Sequence, residues 1–216
     1  MCLVLLAVTG LAGCNTVGAD TTTSLPDPAV DEALAQAPGE ATAVVAGGCF
    51  WGVEAVFEHL KGVTRAVSGY AGGSAATAHY AIVSEGRTGH AESVKATYDP
   101  SRITFGRLLK VFFSVAHDPT EVNRQGPDTG TQYRSAIFAS TPDQKRIAEA
   151  YIAQLNQARV FKRRIATEVT GPTAFYEAEA YHQDYIVHNP GSLYVRAFDL
   201  PKLDHLQKQF PDLYRK

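Results

Sequence analysis

The 216-residue chain predicts a mixed fold, α/β or α+β, on three observations. Helical and strand periodicities interleave, and neither dominates. No G-x-G-x-x-G turn follows the first strand signal, so a parallel dinucleotide-binding sheet is unsupported. No segment recurs at a fixed period, which excludes a repeat architecture.

The elements follow in chain order. Residues 1–14 read as a leader: Cys2 to Ala12 is nearly all apolar and small residues follow. Nothing charged precedes Asp20, so the usual basic start of a leader is missing. Residues 15–40 are rich in Thr, Ala, Asp and Pro and poor in large apolar side chains. Such a segment predicts a disordered tether spanning roughly 25–30 Å. The texture changes near Thr42. Ala43-Val44-Val45-Ala46 is a buried-strand signal stopped by Gly47-Gly48. Val53, Val56, Phe57 and Leu60 then fall on one helical face, and Gly62 suits the helix end. Thr64 to Tyr70 reads as a strand running into Gly69-Tyr70-Ala71-Gly72-Gly73.

Glu92, Val94, Ala96 and Tyr98 share one face of the next strand, and Asp99-Pro100 ends it. Thr104 caps a helix carrying Leu108, Leu109, Phe112 and Phe113. Tyr133 to Ala139 is read as a strand. Thr141-Pro142-Asp143-Gln144 has capping-box spacing with Pro at the first helical position. That helix runs to about Ala158 with Ile147, Tyr151 and Leu155 inward, and Ile165 to Val169 is a further strand.

Composition narrows the function. With 20 Lys+Arg against 22 Asp+Glu, a net charge of −2 gives no general attraction to nucleic acid. Three cysteines, two of them within the first fourteen residues, make no disulfide framework. Seven scattered histidines with no H-x-x-x-H or C-x-x-C pair argue against a metal site. Cys49 stands out because it sits where a strand ends and a helix begins. The partial positive charge there lowers a thiol's pKa, so a reactive thiolate is expected. Phe50 and Trp51 are consecutive and cannot both join the inward stripe, so at least one borders the thiol. Glu92 lies on the apolar face of its strand. It is either a solvated strand-end carboxylate or a buried one, held protonated and able to donate.

Several segments together resemble the A-type peptide-methionine sulfoxide reductases. They are Gly47-Gly48-Cys49-Phe50-Trp51-Gly52-Val53-Glu54, Gly69 to Gly73, Thr88-Gly89-His90-Ala91-Glu92 with Tyr98-Asp99-Pro100, and His117-Asp118-Pro119-Thr120. Asn123-Arg124-Gln125-Gly126, Asp128 to Ser135, Tyr181-His182-Gln183-Asp184-Tyr185 and His188-Asn189-Pro190 complete the match. The resemblance implies an α+β fold: a two-layer sandwich with a mixed sheet and a ferredoxin-like core, over residues 41–216. It implies reduction of methionine S-sulfoxide, free or in oxidised proteins. Cys49 would be the nucleophile and Glu92 the acid on the sulfoxide oxygen, with Tyr80 and Tyr133 as further donors. Phe50 and Trp51 would hold the S-methyl group, and Asp128, His182 and Tyr185 would shape the pocket. No bound cofactor is expected.

No cysteine follows Cys49, so the chain resembles members with a single catalytic cysteine. An external reductant, a thioredoxin-like protein or a small thiol, is then expected. Leu11-Ala12-Gly13-Cys14 resembles a lipobox, which implies lipidation at Cys14 and an extracytoplasmic, membrane-tethered monomer. Two other classes compete: a cysteine hydrolase pairing Cys49 with His59, His90, His117 or His182, and a non-catalytic surface lipoprotein.

Overall fold

The computed structural model describes residues 24–216. The leader, Cys14 and the first part of the expected tether lie outside the described residues. The chain runs β1 (Ala41–Ala46), α1 (Phe50–Glu58), β2 (Val63–Ala71), α2 (Tyr80–Val83), β3 (Ala91–Tyr98) and α3 (Phe105–Val111). It continues through β4 (Arg124–Gln125), β5 (Asp128–Thr129), β6 (Ala136–Phe138), α4 (Pro142–Gln157), β7 (Glu168–Thr170), β8 (Phe175–Glu177), α5 (Tyr185–His188) and α6 (Leu200–Gln209).

Six strands form one sheet in the order β7-β6-β1-β3-β2-β8, and β4-β5 is a separate ribbon. All pairings in the sheet are antiparallel except β6 with β7, so the sheet is mixed. β3 lies between β1 and β2, so β1-α1-β2 is a split β-α-β unit. The strands β6-β1-β3-β2 have the ferredoxin-like arrangement.

The helices supply one layer and the sheet the other. Val53, Val56, Phe57 and Leu60 are each at most 1% exposed and pack on Val45, Val94 and Ala96 of the sheet. Burying each side chain contributes about 1.5–3 kcal/mol. Ile147, Tyr151 and Leu155 of α4 join the same core. Small residues, Ala46, Ala71, Ala91 and Ala136, make up most of the sheet's other buried cluster.

The helix starts follow their capping residues. The Thr104 hydroxyl accepts from Arg107 N–H and Thr141 from Gln144 N–H. The Gln144 side chain passes over Thr141 and takes Ser140 N–H and the Thr42 carbonyl instead, tying α4 to β1. Three expectations change. The strand read as Tyr133 to Ala139 is only Ala136–Phe138, because Thr131–Tyr133 forms a 3₁₀ turn that points Tyr133 toward the site. The strand read at Ile165 to Val169 starts at Glu168, since Ile165 N–H goes to the Asn156 side chain and Ala166 N–H to the Pro119 carbonyl. Phe112 and Phe113 extend α3 as a π-helical turn, Phe112–Ala116, rather than as regular helix.

The largest correction concerns the tether. Residues 24–40 lie as a strap along α4 and α3. Leu25 is buried in the main core, and Tyr151 OH donates to the Pro26 carbonyl at 2.8 Å. Asp31 accepts from Gly106 N–H and the Thr104 hydroxyl, and Glu32 accepts from Phe105 N–H. Asp27 pairs with Lys110 at 2.8 Å and Arg107 at 2.6 Å. Composition predicted disorder because the strap is short of large apolar residues. Its hold is mostly polar, made by carboxylates on otherwise unpaired helix N–H groups.

Candidate active site

β1 delivers the chain into Gly47-Gly48, and the turn sets Cys49 as the residue that caps α1. Gly48 has φ +84°, and a Cβ there would collide with the Gln125 side chain. In the β2–β3 register Tyr70 faces Glu92, which puts Glu92 on the helix side of the sheet under the start of α1. There Glu92 Oε2 accepts from Phe50 N–H at 3.2 Å. Tyr80 enters from α2, whose first N–H is held by Glu179 Oε1 at 2.9 Å. Tyr133 is placed by its 3₁₀ turn, which Thr131 Oγ1 and Gln132 Nε2 fasten to the Gly86 and Ser84 carbonyls. Asp128 arrives on β5, and Tyr194 from the C-terminal segment.

These residues, with Phe50 and Trp51, line a cavity of about 200 Å³ around Cys49. Larger grooves of about 440 and 460 Å³ flank the 158–164 loop, but neither holds a thiol. Cys49, Glu92, Tyr80, Tyr133, Phe50, Trp51 and Asp128 are therefore brought together. His182 and Tyr185 stand behind this lining. His182 Nδ1 accepts from Trp51 Nε1–H at 3.1 Å. Tyr185 stacks on the Trp51 indole with centroids 3.5 Å apart. Both fix the wall rather than form it.

Glu92 is 2% exposed, which decides between the two readings left open for it. Burial pushes its carboxyl up to about 8; the Phe50 N–H bond works against that shift and Asp128 adds to it. At neutral pH it is a neutral acid facing the cavity. Cys49 departs from expectation. Burial pushes the thiol well up, and the Glu92 and Asp199 carboxyls add to this. The Trp51 N–H at the helix start and Lys202 pull in the opposite direction. The resting form is a thiol, because desolvation outweighs the helix terminus.

Three residues in and around the site were not foreseen: Tyr194, Asp199 and Lys202. Tyr194 OH donates to Asp128 Oδ2. Asp199 and Lys202 lie against the first turn of α1 at Gly52. Recognisable motifs stop at Pro190, so only tertiary packing reveals the three. Of the histidines weighed for a hydrolase, none lines the cavity. His59 bonds the Ala55 carbonyl, His90 links Gly73 N–H to the Ser74 carbonyl, and His117 meets Ser135 Oγ at 2.7 Å.

A thiol, a neutral carboxyl and an aromatic wall on this sheet suit a thiol-dependent reductase acting on a small, methyl-bearing group. The model of the family "Peptide methionine sulfoxide reductase" matches residues 41–213, and the chain belongs to that family. It is 55% identical over 190 residues to peptide methionine sulfoxide reductase MsrA 2 of Synechocystis sp., covering 87% of this chain and 89% of that one. To MsrA 2 of Mesorhizobium japonicum it is 56% identical over 178 residues, 82% of this chain and 91% of that one. The solved methionine sulfoxide reductase A of Corynebacterium diphtheriae superposes with a TM-score of 0.60 at 40% identity, over 72% of this chain and 77% of that one. Reduced Mxr1 of Saccharomyces cerevisiae gives a TM-score of 0.64 at 34% identity, over 74% and 94%. The protein is a peptide-methionine (S)-S-oxide reductase, and it reduces methionine sulfoxide to methionine.

Proposed function

We propose that Cys49 performs the reduction as the single catalytic cysteine, with Glu92 as its acid. The observation that carries this is one cavity holding both a buried thiol and a carboxyl kept neutral by burial. A sulfoxide oxygen leaves poorly until it is protonated. The Cys49 sulfur bonds to the sulfoxide sulfur while Glu92 gives its proton to the oxygen. The thiol proton restores Glu92. The hydroxyl then moves from the substrate sulfur to Cys49, leaving a thioether. Thiol plus sulfoxide becomes sulfenic acid plus methionine: the substrate sulfur gains two electrons and Cys49 loses two. Tyr80 and Tyr133 hold the oxygen through their hydroxyls. Phe50 and Trp51 enclose the methyl group, and Asp128 receives the substrate's backbone N–H.

Two external thiols then return Cys49–SOH to the thiol, releasing water and one disulfide. The absence of any cysteine after Cys49 favours this route. A thioredoxin-like protein suits the role because it supplies two thiols at once. The Leu11-Ala12-Gly13-Cys14 motif supports a lipidated, extracytoplasmic form, and palmitate labelling lost in Cys14→Ser would check that.

The deciding experiment is single-turnover reduction of each methionine sulfoxide epimer by the full chain without added thiol. The expected result is one methionine per chain from the S epimer, none from Cys49→Ser, and one added oxygen on the Cys49 peptide. An internal Cys14–Cys49 disulfide as the end product would overturn the single-cysteine route.

A further inference from the structure

The cavity around Cys49 contains no basic side chain. Its titratable neighbours are Glu92 on β3, Asp128 on β5, and the hydroxyls of Tyr80, Tyr133 and Tyr194. All are acidic or neutral groups, so none favours a resting thiolate by its charge. The cation that acts on Cys49, Lys202, comes from behind the helix start. Phe50 and Trp51, the two residues after the capping cysteine, are spent on the aromatic wall. Gly52 has no side chain, and the space where a Cβ would stand is filled by Asp199 Oδ1 and Lys202 Nζ. Asp199 is wholly buried at the end of a π-helical turn, Val195–Asp199, and Lys202 lies one turn on in α6. Lys202 Nζ and Asp199 Oδ1 are 3.3 Å apart, and the Lys202 side chain is only 17% exposed. Burial pushes the Asp199 carboxyl up, and Lys202 pulls it back toward the ionised form. Asp199 Oδ2 has no hydrogen-bond partner among the described residues.

We propose that Lys202 is a positioning residue for thiol activation. Its ammonium, held under the first turn of α1 by Asp199, offsets the negative charge that gathers around Cys49 when the thiolate forms. Gly52 is the opening that lets the ammonium reach this place. Two things support the assignment besides geometry. Lys202 acts on Cys49 in the direction of the thiolate and partly offsets burial, Glu92 and Asp199, each of which acts against the thiolate more strongly. His117, the ring next to this turn at Gly47, contributes no charge, because burial pushes it down to about 3. The pair is built so that its members have opposite effects: Asp199 fixes the lysine and opposes the thiolate, and Lys202 favours it.

The inference rests on Cys49 being the reacting thiol, and its test reads that thiol directly without any turnover. Iodoacetamide alkylation of the Cys49 peptide is followed by mass spectrometry across pH in the full chain. Lys202→Gln is expected to react about tenfold more slowly at neutral pH, with its profile displaced to higher pH. Lys202→Arg should recover most of the wild-type rate. Asp199→Asn should displace the profile the other way and react faster. Thermal melts select the folded variants. Because the two signs are opposite, loss of packing cannot imitate the pattern. Profiles that do not move, or that move in the same direction in Lys202→Gln and Asp199→Asn, would overturn the proposal, whichever variants still reduce sulfoxide.

Discussion

The starts of α3 and α1 both meet carboxylates from distant parts of the chain, with different results. At α3, Asp31 and Glu32 of the strap accept from the Gly106 and Phe105 N–H groups, and Asp31 also takes the Thr104 hydroxyl. At α1, Glu92 accepts from Phe50 N–H alone, is 2% exposed, and is pushed up to about 8. The strap carboxylates have at least two donors each, Glu32 taking the Tyr98 hydroxyl as well, and they hold segments together. Glu92 has one donor and little water, so the neutral form wins and a proton is stored beside a thiol. The same interaction serves stability where it is well supplied with donors and chemistry where it is not.

The contrast is open to direct attack. The largest effect is expected from Glu92→Gln, which keeps the shape and the Phe50 N–H contact but has no transferable proton. Its single-turnover rate should fall roughly 10²–10³-fold, with melting at neutral pH little changed. The proton also gives a pH signature. Because the folded value of Glu92 is raised, the stability it contributes is complete below about pH 4.5. It is lost as pH rises through about 8, where the protonated form gives way to the carboxylate. A fall in rate above about pH 8 that persists in Glu92→Gln would assign it elsewhere.

Asp31→Ala should do the reverse. Denaturant titration should show a loss of about 1–2 kcal/mol, as for other lost helix caps, with the single-turnover rate unchanged. A slowed rate would mean that the two helix starts are not independent. The smallest effect is expected from Tyr194→Phe, which removes the hydroxyl that donates to Asp128. Steady-state kinetics should show KM raised by about fivefold and kcat nearly constant, the size of one modest hydrogen bond.

Much of this was legible from residue order. Period-3.6 spacing located α1 and α4, alternation located β3 and the face that carries Glu92, and Thr104 and Thr141 marked two helix starts. The strap was not legible, because hydrophobic content says nothing about a segment held by carboxylates and main-chain groups. The thiol's state was not legible either. Position at a helix start argued for a thiolate, whereas burial of the sulfur is a tertiary property and dominates. Tyr194, Asp199 and Lys202 belong to a stretch without recognisable motifs, and they reach the site because the π-helical turn Val195–Asp199 and α6 both pack on α1.

The stacked indole at the mouth has a spectroscopic consequence. Trp51 is the only tryptophan among the 216 residues, and it lies between the Tyr185 ring and the Cys49 cavity with its N–H on His182. Excited selectively at long wavelength, the protein emits from a single place, within the wall of the Cys49 cavity. Quenching, a colour shift or a lifetime change in that emission therefore reports events at the pocket free of background from the rest of the fold. Filling of the cavity, oxidation of the sulfur and docking of a reductant can each be timed without attaching a probe.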